Sequence, residues 1–222
     1  MMLYVVSTPI GNMSDLSPRA SKTIIEADVI LAEDTRKIAK ILNFLELSVK
    51  DKRVISCNER CSDNKIAKIF DQYSSSNKVV FCSDAGTPNV SDPGGKVVQE
   101  ALSRGFKVIP VPGPSALTAL ISVSPFSCNK FIFNGYFPKK KGRLNVLKTI
   151  EQAEHPIFFF ESPYRIIKTL RLLQNNLDGQ YYIIIGRELT KYFEEVIFSD
   201  LVGLNVETIK TKGEFVFGIK RV

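Results

Sequence analysis

The sequence predicts an α/β protein of two α/β domains, with a mainly parallel sheet in the first and a mixed sheet in the second. Three observations carry that expectation. Short runs rich in Val and Ile alternate with helix-patterned segments through the first half of the chain. A Ser-rich, aperiodic stretch, SVSPFSCNK (122–130), then interrupts the rhythm. Beyond it, strand-like runs follow one another more closely. Strand–helix alternation marks a parallel sheet covered by helices, and consecutive strands imply antiparallel members. The domains are therefore expected at 1–124 and 125–222.

Taken in order, LYVV (3–6), VILAE (29–33), KVVFC (78–82) and FKVIPV (106–111) are short, apolar and β-branched, as buried strands of a parallel sheet are. After the first strand, Ser17-Pro18 supplies a cap residue and a proline at the first helical position, and Ala20, Ile24 and Ile25 mark one face. Asp34 or Thr35 can cap a second helix carrying Ile38, Ile41 and Leu42. Segments 93–103 and 115–121 supply two more helices. In the second domain the strand candidates are FIFNGYF (131–137), IFFFES (157–162), YYIIIGRE (181–188), FEEVIF (193–198) and GEFVFGIK (213–220). Helices are expected over 143–152 and from Ser162-Pro163 to Leu173.

Composition narrows the function classes. With 44% hydrophobic and 24% charged residues, the protein has the makings of an ordinary core. No apolar stretch approaches the roughly 20 residues of a membrane-spanning helix, and the start lacks the basic lead of a signal peptide. Four unevenly spread cysteines suit reduced thiols in the cytoplasm better than a disulfide framework. The formal charge of +7 favours a polyanionic partner such as nucleic acid, although a Lys-rich composition gives the same balance. Neither the G-x-G-x-x-G nor the G-x-x-x-x-G-K-[ST] fingerprint occurs. Only Cys57 and Cys61 are paired at metal-ligand spacing, and His155 is the sole histidine, so no metal site and no Ser-His-Asp triad is expected.

Three turns stand out at expected strand ends: STPIGN (7–12), SDAGTPNVSDPGG (83–95) and PGPSA (112–116). Each combines Pro, which fixes the backbone, with Gly, which admits close approach or positive φ. In an open α/β sheet, ligands settle outside the carboxyl ends of the strands. Plain tight turns have the same composition, but three of them on one sheet edge favour a ligand cleft. EDTR (33–36) and RELTK (187–191) place charges at two further strand ends, where helix capping and a surface ion pair are the simpler readings. GYFPKKKGR (135–143) sets Tyr136 and Phe137 beside Lys139, Lys140, Lys141 and Arg143, a pattern that suits single-stranded RNA or a solvated linker.

LYVVSTPIGN, ILAEDTR, CSDAGTPNVSDPG, PVPGPSALTAL, GYFPKKKGR, FFFESPYRI, RELTK and KGEF occur in one order from Leu3 to Glu214. Together they resemble the tetrapyrrole methylase-like family, the class III methyltransferases, in its branch that acts on ribosomal RNA. The resemblance implies two α/β domains with S-adenosylmethionine (SAM) in the cleft between them, and a homodimer. It implies methylation of a cytidine ribose 2′-OH in 16S rRNA. It assigns Ile10, Asp84, Ala85, Gly86, Thr87, Pro88, Ser115, Ala116 and Phe160 to the methyl donor. Two departures matter: Ile55, Ser56 and Cys57 precede Asn58-Glu59, and Tyr164 follows Glu161-Ser162-Pro163, where relatives carry histidines. Base catalysis by those imidazoles therefore does not transfer. Asp34 or Glu188 is expected to accept the hydroxyl proton, with Arg36 or Arg187 orienting ribose or phosphate. Tyr136, Lys139, Lys140, Lys141 and Arg143 are expected to contact RNA. The rival readings are a tetrapyrrole methyltransferase and a non-catalytic RNA-binding ribosome-assembly protein of the same fold.

Overall fold

A computed structural model describes residues 1–73 and 78–222. The protein forms two compact units, Met1–Ser115 and Ala116–Val222.

In the first unit, β1 (Met2–Val6), β2 (Val29–Ala32), β3 (Arg53–Ser56), β4 (Lys78–Cys82) and β5 (Lys107–Val111) form one sheet in the order β3-β2-β4-β1-β5. Every pairing in it is parallel. The helices α1 (Pro18–Ile25), α2 (Thr35–Phe44), α3 (Asp63–Gln72) and α4 (Gly95–Ser103) connect the strands. Strand alternation sorts the core into two layers. Val6, Ile30, Val80 and Cys82 meet Ala20 and Ile24 of α1 and Ile38, Ile41 and Leu42 of α2. Leu3, Leu31, Val79 and Phe81 meet Ile66 and Phe70 of α3 and Val97 and Ala101 of α4. Full burial of each such side chain stabilises by about 1.5–3 kcal/mol. Because α1 leaves β1 on one face and α4 leaves β4 on the other, a topological switch point lies between these adjacent strands, where open α/β sheets bind ligands.

The second unit holds α5 (Ala116–Ser122), β6 (Ile132–Tyr136), α6 (Arg143–Gln152), β7 (Ile157–Glu161), α7 (Ile166–Asn176), β8 (Tyr181–Arg187), β9 (Glu195–Asp200) and β10 (Phe215–Arg221). Its sheet runs β6-β7-β10-β8-β9, with β6 and β7 parallel and the remaining pairs antiparallel. Phe159, Ile183, Ile185 and Phe217 form its floor under Leu147 and Ile150 of α6 and Ile166, Leu170 and Leu173 of α7.

Several expectations shift. The units divide at Ser115/Ala116 rather than after 124, and α5 packs within the second unit, where a Cβ on Gly186 would lie 3.0 Å from Leu120 Cδ1. Ile25 is exposed, and Thr23 takes the inward place beside Ala20 and Ile24. α4 begins at Gly95 and not at Pro93, because the Pro93 carbonyl is spent on Asn89 N–H within the loop. α7 begins at Ile166; Ser162 and Pro163 open a turn in which Ser162 O accepts from Arg165 N–H and Ile166 N–H. β3 and α3 are not among the expected elements, although Ile66, Ile69 and Phe70 lie on one buried helical face.

Candidate active site

The loops after β1, β4 and β5 are stitched together at the switch point. Thr8 N–H donates to Gly86 O and Gly86 N–H donates to Thr8 O, both at 2.9 Å. Buried hydroxyls reinforce the bridge: Thr8 Oγ1 donates to Ser83 O at 3.3 Å, and Ser83 Oγ donates to Gly86 O at 3.2 Å. Ser7 Oγ donates to Thr87 Oγ1 at 3.1 Å, and Thr87 Oγ1 donates onward to Pro114 O at 3.2 Å, tying in the third loop. Gly86 has φ +82°, and a Cβ there would lie 3.3 Å from Ile10 Cγ2 and 3.7 Å from Pro114 O. The positive φ favours glycine, and the space for a side chain there is tight. The structure thus brings Ile10 and the 84–88 loop together beside Pro114, with Pro88 buried and Asp84, Ala85 and Thr87 half-buried. Ser115 closes this unit and Ala116 opens α5 in the other.

EDTR joins the same edge. Asp34 N–H donates to Asp84 Oδ1 at 2.8 Å. Asp34 also caps α2 by accepting from Arg36 N–H at 2.8 Å. Its carboxylate receives the exposed Arg36 guanidinium, with Arg36 Nη2 at 2.6 Å from Oδ2. Donation from the Arg36 side chain, then from its backbone N–H, holds the Asp34 carboxyl down at about 2. Its neighbour Glu33 behaves oppositely: partial burial, then the Asp84 and Asp92 carboxylates, push its carboxyl above the usual range. Glu33, Ser7, Thr8 and Ser83 lie within EDTR, STPIGN and SDAGTPNVSDPGG but are not among the expected site residues. Seryl and threonyl hydroxyls at successive strand ends were the available signal. Thiol chemistry is disfavoured here, since burial pushes Cys57 and Cys82 up to about 12.

In the second unit the other motifs also collect at one end of their sheet. Phe215 pairs with Glu161 and with Arg187, so the start of β10 adjoins the ends of β7 and β8. Arg187 is buried; its Nε donates to Glu195 Oε2 at 2.9 Å and its Nη1 to Lys212 O at 3.0 Å. Glu188 has φ +51°, and its Oε1 accepts from Lys191 Nζ at 2.8 Å and from Glu214 N–H at 2.9 Å. Lys191 reaches Glu214 Oε2 as well, at 2.8 Å. Partial burial works to raise the Glu188 carboxyl, but the Lys191 and Glu214 donors and the Lys191 and Arg187 charges outweigh it and lower it. Gly213 permits this arrangement: it has φ +118°, and a Cβ would fall 2.4 Å from Glu188 Cγ.

Phe160 is half-buried, its ring 5.0 Å from Phe133 and 5.6 Å from the exposed Tyr136. Lys139, Lys140 and Lys141 are exposed in the turn before α6. Arg143 braces that turn, its Nε donating to Pro138 O at 3.1 Å. Glu161 has a fully buried side chain that accepts from Ser162 N–H and Thr169 Oγ1, both at 2.6 Å, and pairs with Arg165 at 2.5 Å. Arg165 Nη1 donates in turn to Phe137 O at 3.1 Å, anchoring the origin of the lysine turn. Among the described residues, no group of three His, Cys, Asp or Glu side chains is placed to hold a metal.

Residues 2–204 match the family described as Tetrapyrrole (Corrin/Porphyrin) Methylases. The chain belongs to the tetrapyrrole methylase family. This family member is 44% identical, over 87% of its length and 85% of the relative's, to "Ribosomal RNA small subunit methyltransferase I" of Thermotoga maritima. It is 36% identical, over 99% of both proteins, to the protein of the same name from Borrelia garinii subsp. bavariensis. Among solved structures, the tetrapyrrole methylase fold recurs in uroporphyrin-III C-methyl transferase from Thermus thermophilus complexed with S-adenyl homocysteine. That match has a TM-score of 0.67 and 16% identity over 99% of this protein and 97% of the other.

Proposed function

We propose that the protein is a SAM-dependent methyltransferase that methylates the ribose 2′-OH of a cytidine in 16S rRNA. The observation that carries this reading is the stitched, glycine-cradled edge at the first unit's switch point, in a protein similar over most of its length to small-subunit rRNA methyltransferases. The residues fit the donor. SAM carries an ammonium, a carboxylate and a sulfonium, and the loops at Ile10, Asp84–Pro88 and Ser115–Ala116 offer backbone carbonyl and amide groups with no bulky side group at Gly86. When bound, SAM supplies an activated methyl carbon that a hydroxyl oxygen attacks in line.

The protein's own part is alignment, which can supply much of the barrier reduction. Ile10 closes over Gly86, and Phe160 is a further proposed donor contact. Arg36 and Arg187 are proposed to orient ribose and phosphate, Arg187 from its fixed position against Glu195. Asp34 or Glu188 is the proposed proton acceptor. Each is ionised at neutral pH, but its lowered pKa makes it a weak base that takes the proton late, once the forming C–O bond has made it strongly acidic. Tyr136, Lys139, Lys140, Lys141 and Arg143 form the proposed RNA track.

Mapping 2′-O-methyl marks on small-subunit RNA after incubation with SAM, with and without the protein, tests the reading. One added mark on a cytidine ribose is expected, and it should fade in single turnover when Asp34→Asn and Glu188→Gln are combined. A mark on a base, or methyl transfer only to a precorrin-type substrate, overturns it.

A further inference from the structure

One concave surface of the second unit has been given no ligand so far, although its Lys212 and Gly213 brace Arg187 and Glu188. Pro163, Tyr164 and Ile167, at the entry to α7, face Thr211, Lys212 and Gly213, in the turn before β10, across a groove of about 440 Å³. That volume lies within the range of pockets that hold small ligands. We propose that this groove takes an unpaired RNA base, stacked on Tyr164, with its phosphate beside Lys212; the inference rests on the RNA-methyltransferase reading above.

Four features argue for that occupant. Tyr164 is 95% exposed, so its aromatic side chain is presented to solvent at the rim of a cavity. Every base has a π-face, which makes such a ring a sequence-tolerant platform. The opposite wall combines the Thr211 hydroxyl with the Lys212 ammonium, donors that complement a ribose-phosphate backbone. The backbone of that wall is also fixed from behind, because buried Arg187 donates to Lys212 O at 3.0 Å. Finally, Arg165, the residue after Tyr164, donates to Phe137 O at 3.1 Å. The turn carrying Lys139, Lys140 and Lys141 therefore starts at the same corner of the unit, and one strand could run from the lysines to the groove.

The test is fluorescence polarisation with a labelled single-stranded oligoribonucleotide of mixed sequence, and with an abasic strand of the same length. Tyr164→Ala should weaken binding of the base-bearing strand by roughly 5- to 150-fold. It should leave the abasic strand and the SAM titration unchanged, and Tyr164→Phe should bind like the native protein. Lys212→Ala should lower the log–log salt slope by about 0.7. Undiminished binding by Tyr164→Ala in a protein that still methylates RNA overturns this inference alone. A loss of SAM affinity instead of RNA affinity also overturns it, since the groove would then belong to the donor. A native protein that binds no RNA sinks both this inference and the reading beneath it. If the native protein binds RNA without methylating it, and Tyr164→Ala still weakens that binding, the groove stands and only the catalytic assignment falls.

Discussion

Asp34 does two structural jobs at once, and the chemistry proposed for it depends on both. Its carboxylate caps α2 through Arg36 N–H and receives the Arg36 guanidinium, while its own N–H is fixed by Asp84. The charged form is favoured, first by the Arg36 side chain and then by its backbone. A carboxyl held at about 2 in the folded protein contributes stability at pH values above its ordinary 3.8 and loses it as pH falls toward 2. Thermal melts from pH 6 to pH 2 should therefore show an acid-side loss that Asp34→Asn reduces. The difference between the two proteins should be flat above about pH 5. A difference that grows between pH 5 and 7 would point to another group. The cap was legible from Asp34 standing before Thr35. The opposite behaviour of Glu33 was not, because it depends on Asp84 and Asp92, which lie far along the sequence beyond two further strands.

Elements with strong local patterns were legible, and those specified by contacts between distant segments were not. β1, β4, β7 and β8 announce themselves as apolar runs, and α2 places Ile38, Ile41 and Leu42 inward as their spacing requires. The entry to α7 misleads because Ser162-Pro163 has the composition of a helix start, yet the segment runs as a turn closed by Arg165 N–H on Ser162 O, and the helix begins at Ile166. The Glu161 carboxylate sits at the root of this turn and accepts from Ser162 N–H. It gathers Ser162, Thr169 and Arg165 around one buried charge, and Arg165 passes the constraint on to Phe137. Removing one partner of such a buried pair costs about 3–5 kcal/mol. Glu161→Ala is expected near the lower figure, since the Arg165 side chain keeps 20% exposure. At about 2–4 °C per kcal/mol for a protein of this size, calorimetry should show a melting temperature lower by roughly 6–12 °C. Glu161→Gln, which retains an acceptor oxygen, should lose less; an unchanged melting point for the alanine variant would show that the network contributes nothing.

For the whole molecule, sequence order concealed how far the motifs converge. STPIGN, EDTR, SDAGTP and PGPSA end up at one edge of a parallel sheet, while GYFP, ESPYR, RELTK and KGEF end up at one end of a mixed sheet. The strand periodicity was readable, but the order β3-β2-β4-β1-β5 and its switch point follow from which helix covers which face. The net charge of +7 gains a location on the second unit, in three exposed lysines beside Tyr136. If they contact phosphates, replacing Lys139, Lys140 and Lys141 with Ala should flatten the salt dependence of RNA binding by about 0.7 log units of slope per lost contact. SAM affinity should not change. An unaltered slope, measured from low to moderate salt, would place the phosphates elsewhere.

The paired amide exchange between Thr8 and Gly86 carries a kinetic consequence. Two residues from distant parts of the sequence guard each other's protons, so both N–H groups should swap for deuterium together, at the pace of one shared opening event. A floor already frozen in this way has little disorder left to surrender, and a guest landing on it forfeits less entropy than one that must first tame a mobile loop.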